Sequence, residues 1–184
     1  MVIAVGCDHI VTPIKDQLVK TLQSQGHTVI DCGTYDLVRS HYPIYGFEVA
    51  RLVATKKAKF GVVICGTGVG ITNSANKTYG ARVCLTREVE VARIARKYYD
   101  ANIIGCGGRI SGQGLIEEIV NAFINTKYDG SHKNDIKKIN SVLKHKNHDI
   151  HQFDKLIDKW HDGYYTEGKK QAKIALPKTW KGNK

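Results

Sequence analysis

Cys65, Gly66, Thr67, Gly68 and Gly70 fall in one run, Cys65-Gly66-Thr67-Gly68-Val69-Gly70, directly behind the apolar stretch Phe60–Ile64. A β-branched run ending in a glycine-rich turn predicts a buried parallel strand that delivers its tip into a helix start. Backbone N–H groups of such a turn face outward and can hold a developing negative charge. A cysteine at that tip feels the positive end of the helix dipole, which favours the thiolate and makes it a usable base. The chemistry on offer is proton transfer beside a forming oxyanion. The same letters also fit a small buried cysteine next to a structural glycine turn.

Groups able to work with it stand at other strand ends. Asp8 and His9 follow the apolar run Val2–Gly6 and suit general acid–base and anion-binding work, although an aspartate there also caps the next helix. Arg39, His41 and Tyr42 fall in the polar loop Gly33–Pro43. Arg39 is capable of bidentate phosphate contact, or is simply an exposed loop arginine, and Pro43 suits the start of a helix. The turn is not a dinucleotide fingerprint: its glycines read G-x-G-x-G, it follows the third strand, and no acidic residue answers further on. Nor is it a P-loop, because Ile71-Thr72 stands where Lys-Ser/Thr belongs. No cofactor is implied. His145, His148 and His151 recur every three residues, a spacing open to a metal but set among lysines as on a solvated face. Cys7, Cys32, Cys84 and Cys106 read as core filler.

These groups need a scaffold, and strand and helix patterns alternate to give one. Strands are expected at Val2–Gly6, Thr28–Asp31, Phe60–Ile64, Arg82–Leu85 and Asn102–Gly105. Helices are expected at Pro13–Gln25, Ile44–Thr55, from the glycine turn to Asn76, at Arg87–Tyr98 and at Gly112–Asn125. Repeats of this length predict an α/β, three-layer, Rossmann-like fold around a five-stranded parallel sheet. Right-handed crossovers bring every strand's carboxyl end to one edge, where ligands of open sheets bind. Residues 132–160 read as one or two trailing helices, with Ile136, Ile139, Val142, Leu143, Phe153, Leu156, Ile157 and Trp160 apolar, expected to pack on a neighbouring subunit. From Gly163 the periodicity fades, as in a flexible tail.

The 184 residues suffice for one well-cored domain. No stretch reaches the roughly 18 apolar residues of a membrane span, no signal peptide is legible, and five widely spaced cysteines without C-x-x-C fit reduced thiols in the cytoplasm. The net charge is +11, and residues 137–184 carry twelve lysines against five acids. That segment lacks a nucleic-acid recognition motif, so no nucleic-acid partner is assigned, and attraction of anionic, phosphorylated substrates is the simpler use of the charge.

Gly6-Cys7-Asp8-His9, Gly33-Thr34-Tyr35, His41-Tyr42-Pro43, Cys65–Gly70 and Asn102-Ile103-Ile104-Gly105 together resemble the sugar-phosphate isomerase family that includes ribose-5-phosphate isomerase B. Arg39-Ser40-His41-Tyr42-Pro43 and Lys159-Trp160-His161-Asp162-Gly163 are similar to its branch of galactose-6-phosphate isomerase B subunits. The likeness covers residues 1–165, taken as one isomerase domain with oligomerisation helices from about residue 132; residues 166–184 form the basic tail. It implies metal-free aldose–ketose isomerisation through an enediol. Cys65 would be the base between C2 and C1, and Thr67 with the amides of Gly66, Gly68 and Gly70 would steady the enediolate. Asp8 would position hydroxyls, His9 and Arg39 would approach the phosphate, and Tyr42 would line the pocket.

Two departures bear on partners. Where homo-oligomeric members carry a ring-opening histidine and its asparagine, this chain has Tyr98 and Tyr99, and a phenol is ordinarily unsuited to that role near neutral pH. Where those members carry an arginine-rich helix start, it has Ser131-His132-Lys133-Asn134-Asp135. The resemblance therefore implies a paralogous partner, the A subunit of galactose-6-phosphate isomerase, that supplies the missing groups. The competing expectations are a homo-oligomeric ribose-5-phosphate isomerase and a non-catalytic sugar-phosphate-binding subunit.

Overall fold

The apolar runs become five strands in a computed structural model that describes residues 1–143, 151–164, 166, 168–173 and 175. The strands are β1 (Val2–Cys7), β2 (Thr28–Asp31), β3 (Phe60–Cys65), β4 (Val83–Leu85) and β5 (Ile103–Gly107). Every pairing is parallel, and the order across the sheet is β2-β1-β3-β5-β4. Between and after them run α1 (Thr12–Ser24), α2 (Tyr42–Ala54), α3 (Val69–Ala75), α4 (Val89–Tyr99), α5 (Gln113–Asn125), α6 (Lys133–Ser141) and α7 (Gln152–His161).

The strand period of two sorts the core into two layers. Ile3, Val5, Cys7, Val62, Ile64, Ile104 and Cys106 face α1, α4 and α5. Ala4, Val63, Cys65 and Ile103 face α2, α3 and α7. Full burial of each large aliphatic chain contributes about 1.5–3 kcal/mol, so both faces are covered at a gain. On the second face Gly6 and Gly61 let α2 lie close, because a Cβ on either would come within 2.9 and 2.6 Å of the Val49 side chain. Proline starts two helices as expected: Pro13 and Pro43 sit in the first turns of α1 and α2.

The trailing helices divide. α6 buries only Ile136 and leaves Ile139 and Val142 exposed, a face still open to a partner. α7 buries its stripe of Phe153, Leu156, Ile157 and Trp160 on the chain's own second face, beside α2. That face has apolar surface left over by the short α3, and a stripe spaced i, i+3, i+4, i+7 fits it. The described part of the stretch expected to be flexible turns back on α7: the Gly168 N–H donates to Gly163 O (3.0 Å) and the Gln171 N–H to His161 O (3.4 Å). No helix among the described residues is long and apolar enough to cross a membrane.

One buried charge ties the scaffold to a loop. Lys15 of α1 is fully buried, with Nζ 2.6 Å from Asp31 Oδ2 and 2.7 Å from Asp16 Oδ1. Burial opposes its charge, but the hydrogen bonds and attraction of the two carboxylates hold its pKa above the ordinary lysine value. Asp31 in turn accepts from the Gly33 N–H through Oδ1 (2.9 Å) and from the Tyr35 hydroxyl through its carbonyl (2.6 Å). The start of the loop after β2 is thereby anchored to α1.

Candidate active site

The carboxyl edge of the sheet gathers the loops that follow β1, β2, β3 and β5. Asp8, just past β1, is 4% exposed, and its Oδ1 accepts from the Ile10 N–H (3.1 Å), capping the 3-10 turn His9–Val11. The capping reading of Asp8 thus holds in the structure. His9 is fixed from 31 residues away: Ser40 N–H donates to His9 Nδ1 (3.2 Å), while His9 N–H donates to Ser40 Oγ (3.2 Å). A neutral imidazole that accepts at Nδ1 carries its proton on Nε2. His9 is thus oriented as a donor.

The glycine turn is built as its spacing predicts. Cys65, the last residue of β3, is 4% exposed within the single chain, and the Gly68 N–H donates to its Sγ (3.2 Å). Such a contact strengthens as charge builds on sulfur. Gly68 has a φ of +80°, and a Cβ there would lie 2.7 Å from the Cys106 carbonyl carbon, so only glycine fits. A Cβ on Gly70 would come 2.6 Å from the Tyr42 ring, which lies over the turn. Thr67 is exposed, with Oγ1 accepting from the Val69 N–H (3.3 Å). The N–H groups of Gly66, Thr67 and Gly70 make no backbone hydrogen bond among the described residues.

Sequence reasoning missed Arg109. It follows Gly107-Gly108 past β5 on the same edge, its N–H donates to Gly66 O (2.9 Å), and its Cδ is the atom nearest a Cβ built on Gly66 (3.6 Å). Its charge also acts on Asp8. The available signal was an arginine directly behind a strand's carboxyl end. Arg39, by contrast, is exposed on its loop, where its charge, after burial, helps to depress the pKa of His41. Asp8, His9, Tyr42, Cys65–Gly70 and Arg109 thus share one edge, with Arg39 at its rim.

Burial pushes the Asp8 carboxyl above its ordinary pKa, against the lowering pull of the Ile10 N–H, His9 and Arg109. The folded chain therefore holds this proton more tightly than the unfolded one, and ionising Asp8 costs stability as pH rises above the ordinary carboxylate range. Asp8→Asn keeps an acceptor for Ile10 and removes the charge. The variant is expected to melt above wild type at pH 7, the gain fading as pH falls to about 4, the ordinary carboxylate range. Melting curves across pH check this, and an unchanged midpoint at pH 7 would contradict it.

The other cysteines behave as core. Burial pushes the thiols of Cys7 and Cys106 up to about 12 and also raises those of Cys32 and Cys84, and all five cysteines are free. A cavity of about 380 Å³ opens beside the turn, lined by Thr67, Val69, Thr86, Arg87, Gly107 and Ser111 among others. A larger one, about 700 Å³, lies away from these groups between β4, α4 and α6, whereas the polar groups concentrate at the edge. His145 and His148 lie outside the described residues.

Tyr98 and Tyr99 pack their rings against His132, at 5.9 and 5.2 Å between centroids. They end α4, which runs back from the carboxyl end of β4 to the start of β5. In one chain they therefore occupy the sheet edge opposite Cys65.

Comparison with known proteins follows the same lines. Residues 3–139 match the model of the family described as Ribose/Galactose Isomerase. The chain is 50% identical over 170 residues to galactose-6-phosphate isomerase subunit LacB of Clostridium acetobutylicum, covering 90% of this chain and 98% of that protein. It is 37% identical over 146 residues to ribose-5-phosphate isomerase B of Escherichia coli, covering 79% and 98%. Among solved structures, ribose-5-phosphate isomerase B of Clostridium thermocellum superposes with a TM-score of 0.77 at 35% identity, covering 78% of this chain and 98% of that one. The enzyme of Mycoplasma genitalium with bound ribulose-5-phosphate gives 0.74 at 29% identity, covering 78% and 96%.

Proposed function

Because the chain belongs to the ribose/galactose isomerase family and is an isomerase, we propose that it interconverts D-galactose 6-phosphate and D-tagatose 6-phosphate as the B subunit of a cytoplasmic hetero-oligomer. The observation that carries this reading is the end of β3, where Cys65 Sγ meets the Gly68 amide in a turn whose Gly66, Thr67 and Gly70 N–H groups make no backbone hydrogen bond among the described residues. The choice of sugar leans on the 50% identity to a galactose-6-phosphate isomerase subunit along nearly its whole length.

In the proposed reaction Cys65 thiolate takes the proton from C2 of the open-chain aldose. The C2–H electrons form the C1=C2 double bond, and the carbonyl π electrons move onto O1. Thr67 and the amides of Gly66 and Gly70 hold that developing charge, where preorganised donors count most, while the Gly68 amide faces Sγ. Return of the proton from Cys65 to C1, with transfer of the O2 proton to O1, leaves the C2 ketone. Asp8 holds sugar hydroxyls, His9 offers Nε2–H to the phosphate, Arg39 and Arg109 add positive charge on either side, and Tyr42 closes the pocket over Gly70.

Ring opening needs an acid–base group that titrates near neutrality. Tyr98 and Tyr99 do not supply one, and their place on the opposite edge lets them serve only another chain's site. A paralogous A subunit is therefore proposed to bring the ring-opening histidine and the phosphate-binding arginines. The 37% identity to a ribose-5-phosphate isomerase supports the rival sugar, and that rival makes a different forecast. Purified chain, alone and mixed with the A subunit, is to be assayed on galactose 6-phosphate and ribose 5-phosphate. We expect the mixture to turn over galactose 6-phosphate at least about 10²-fold faster than the lone chain, the lower bound for losing a positioned acid–base group. Full turnover by the lone chain would overturn the division of labour, and preference for ribose 5-phosphate would overturn the substrate.

A further inference from the structure

α7 lies beyond residue 139, where the family match stops, yet its last turn reaches the active-site loops. The Trp160 ring stacks on His41, with centroids 5.4 Å apart and planes 13° from parallel. Trp160 is 2% exposed and His41 half-buried, so the stack is covered on the tryptophan side. From His41 two contacts lead into the site. On one side its chain neighbour Ser40 exchanges two hydrogen bonds with His9, including the N–H that holds Nδ1. On the other, the His41 ring meets the Tyr42 ring at 5.2 Å, and Tyr42 lies directly over Gly70.

We propose that Trp160 is a positioning residue of the active site: by clamping His41 it fixes the Ser40 N–H on His9, so that His9 presents Nε2–H, and holds Tyr42 over the glycine turn. Along the loop after β2, the ion-paired Asp31 secures the beginning and Thr12 Oγ1 donates to Asp36 O (2.8 Å), Leu37, Val38 and Arg39 are exposed, and the Trp160 stack meets the end that carries Ser40 and His41. An aromatic stack contributes directional packing beyond the area it buries, and misplacing a reacting constellation by about 1 Å can cost about 10²-fold in activity. Trp160 Nε1 has no hydrogen-bond partner among the described residues, so the ring face, not the indole N–H, is the working part.

The consequence for His9 rests on geometry alone, whereas the consequence for turnover rests on the isomerase reading above, and the test separates them. In the full chain at about pH 8, where imidazole is neutral, long-range 1H–15N correlation reads the His9 tautomer. Wild type is expected to show Nε2–H, and Trp160→Ala a mixture of tautomers. In the complex with the A subunit, Trp160→Ala is expected to lower kcat/KM roughly 10–100-fold, and Trp160→Phe to restore most of both signals. Leu156→Ala, which thins the same helix away from His41, should reduce stability while leaving the His9 tautomer as in wild type. Should Trp160→Ala not fold, Trp160→Leu keeps apolar bulk without a ring face and makes the same comparison. An unchanged tautomer in the Trp160 variants, or an equal change in Leu156→Ala, would overturn the proposal. Absence of turnover in wild type on either sugar would count against the isomerase reading instead, with the tautomer result still deciding the role of Trp160.

Discussion

Cys65→Ser is expected to cut kcat for galactose 6-phosphate in the reconstituted complex about 10³-fold, within the range for losing a general base, with KM little changed. A serine Oγ can accept the Gly68 N–H as the sulfur does (3.2 Å), so the turn and the binding groups around it stay in place. What changes is basicity: a serine hydroxyl does not ionise near neutrality, and the C2–H bond is left without an acceptor. A loss confined to kcat would mark a group that acts in the transition state, whereas a rise in KM alone would assign Cys65 to binding. Equal kcat for serine and cysteine would remove the sulfur from the chemistry.

Lys15→Met is expected to destabilise the fold by about 3 kcal/mol, the low end for breaking a buried ion pair. The low end applies because Asp31 and Asp16 keep side-chain exposures of 28% and 49% and can rehydrate in part. For a domain of this size that corresponds to a fall in melting temperature of roughly 6–12 °C. The cause is the orphaned Asp31, whose carboxylate also holds Gly33 and so the root of the loop that carries Ser40 and Tyr42. Thermal melts check the magnitude, and a midpoint within about 2 °C of wild type, a change of less than about 1 kcal/mol, would contradict it.

Much of the scaffold was legible because its signals are local. Strand ends fall within two residues of the alternating and β-branched runs that predict them, Pro43 marks a helix start, and Gly68 stands where the backbone turns left-handed. The placement of Asp8, His9 and the Cys65–Gly70 turn on one edge followed from parallel topology alone. What the sequence hid is long-range. Nothing in Val83–Leu85 or Ile103–Gly107 says that β5 inserts between β3 and β4. Arg109 belongs to no motif and becomes visible only once β5 brings it beside Gly66. The apolar stripe of α7 was readable as a stripe, but that α2 of the same chain covers it was not, because periodicity does not name the face a stripe meets. The Ser40–His9 contact spans 31 residues and has no sequence signature.

The fate of the hydrogen on C2 tests the central claim most directly. With the reconstituted complex in deuterated water, wild-type chain should carry solvent deuterium into C1 of tagatose 6-phosphate and into C2 of recovered galactose 6-phosphate, and Cys65→Ala should do neither. Wild-type levels of label in the alanine variant would contradict a sulfur base.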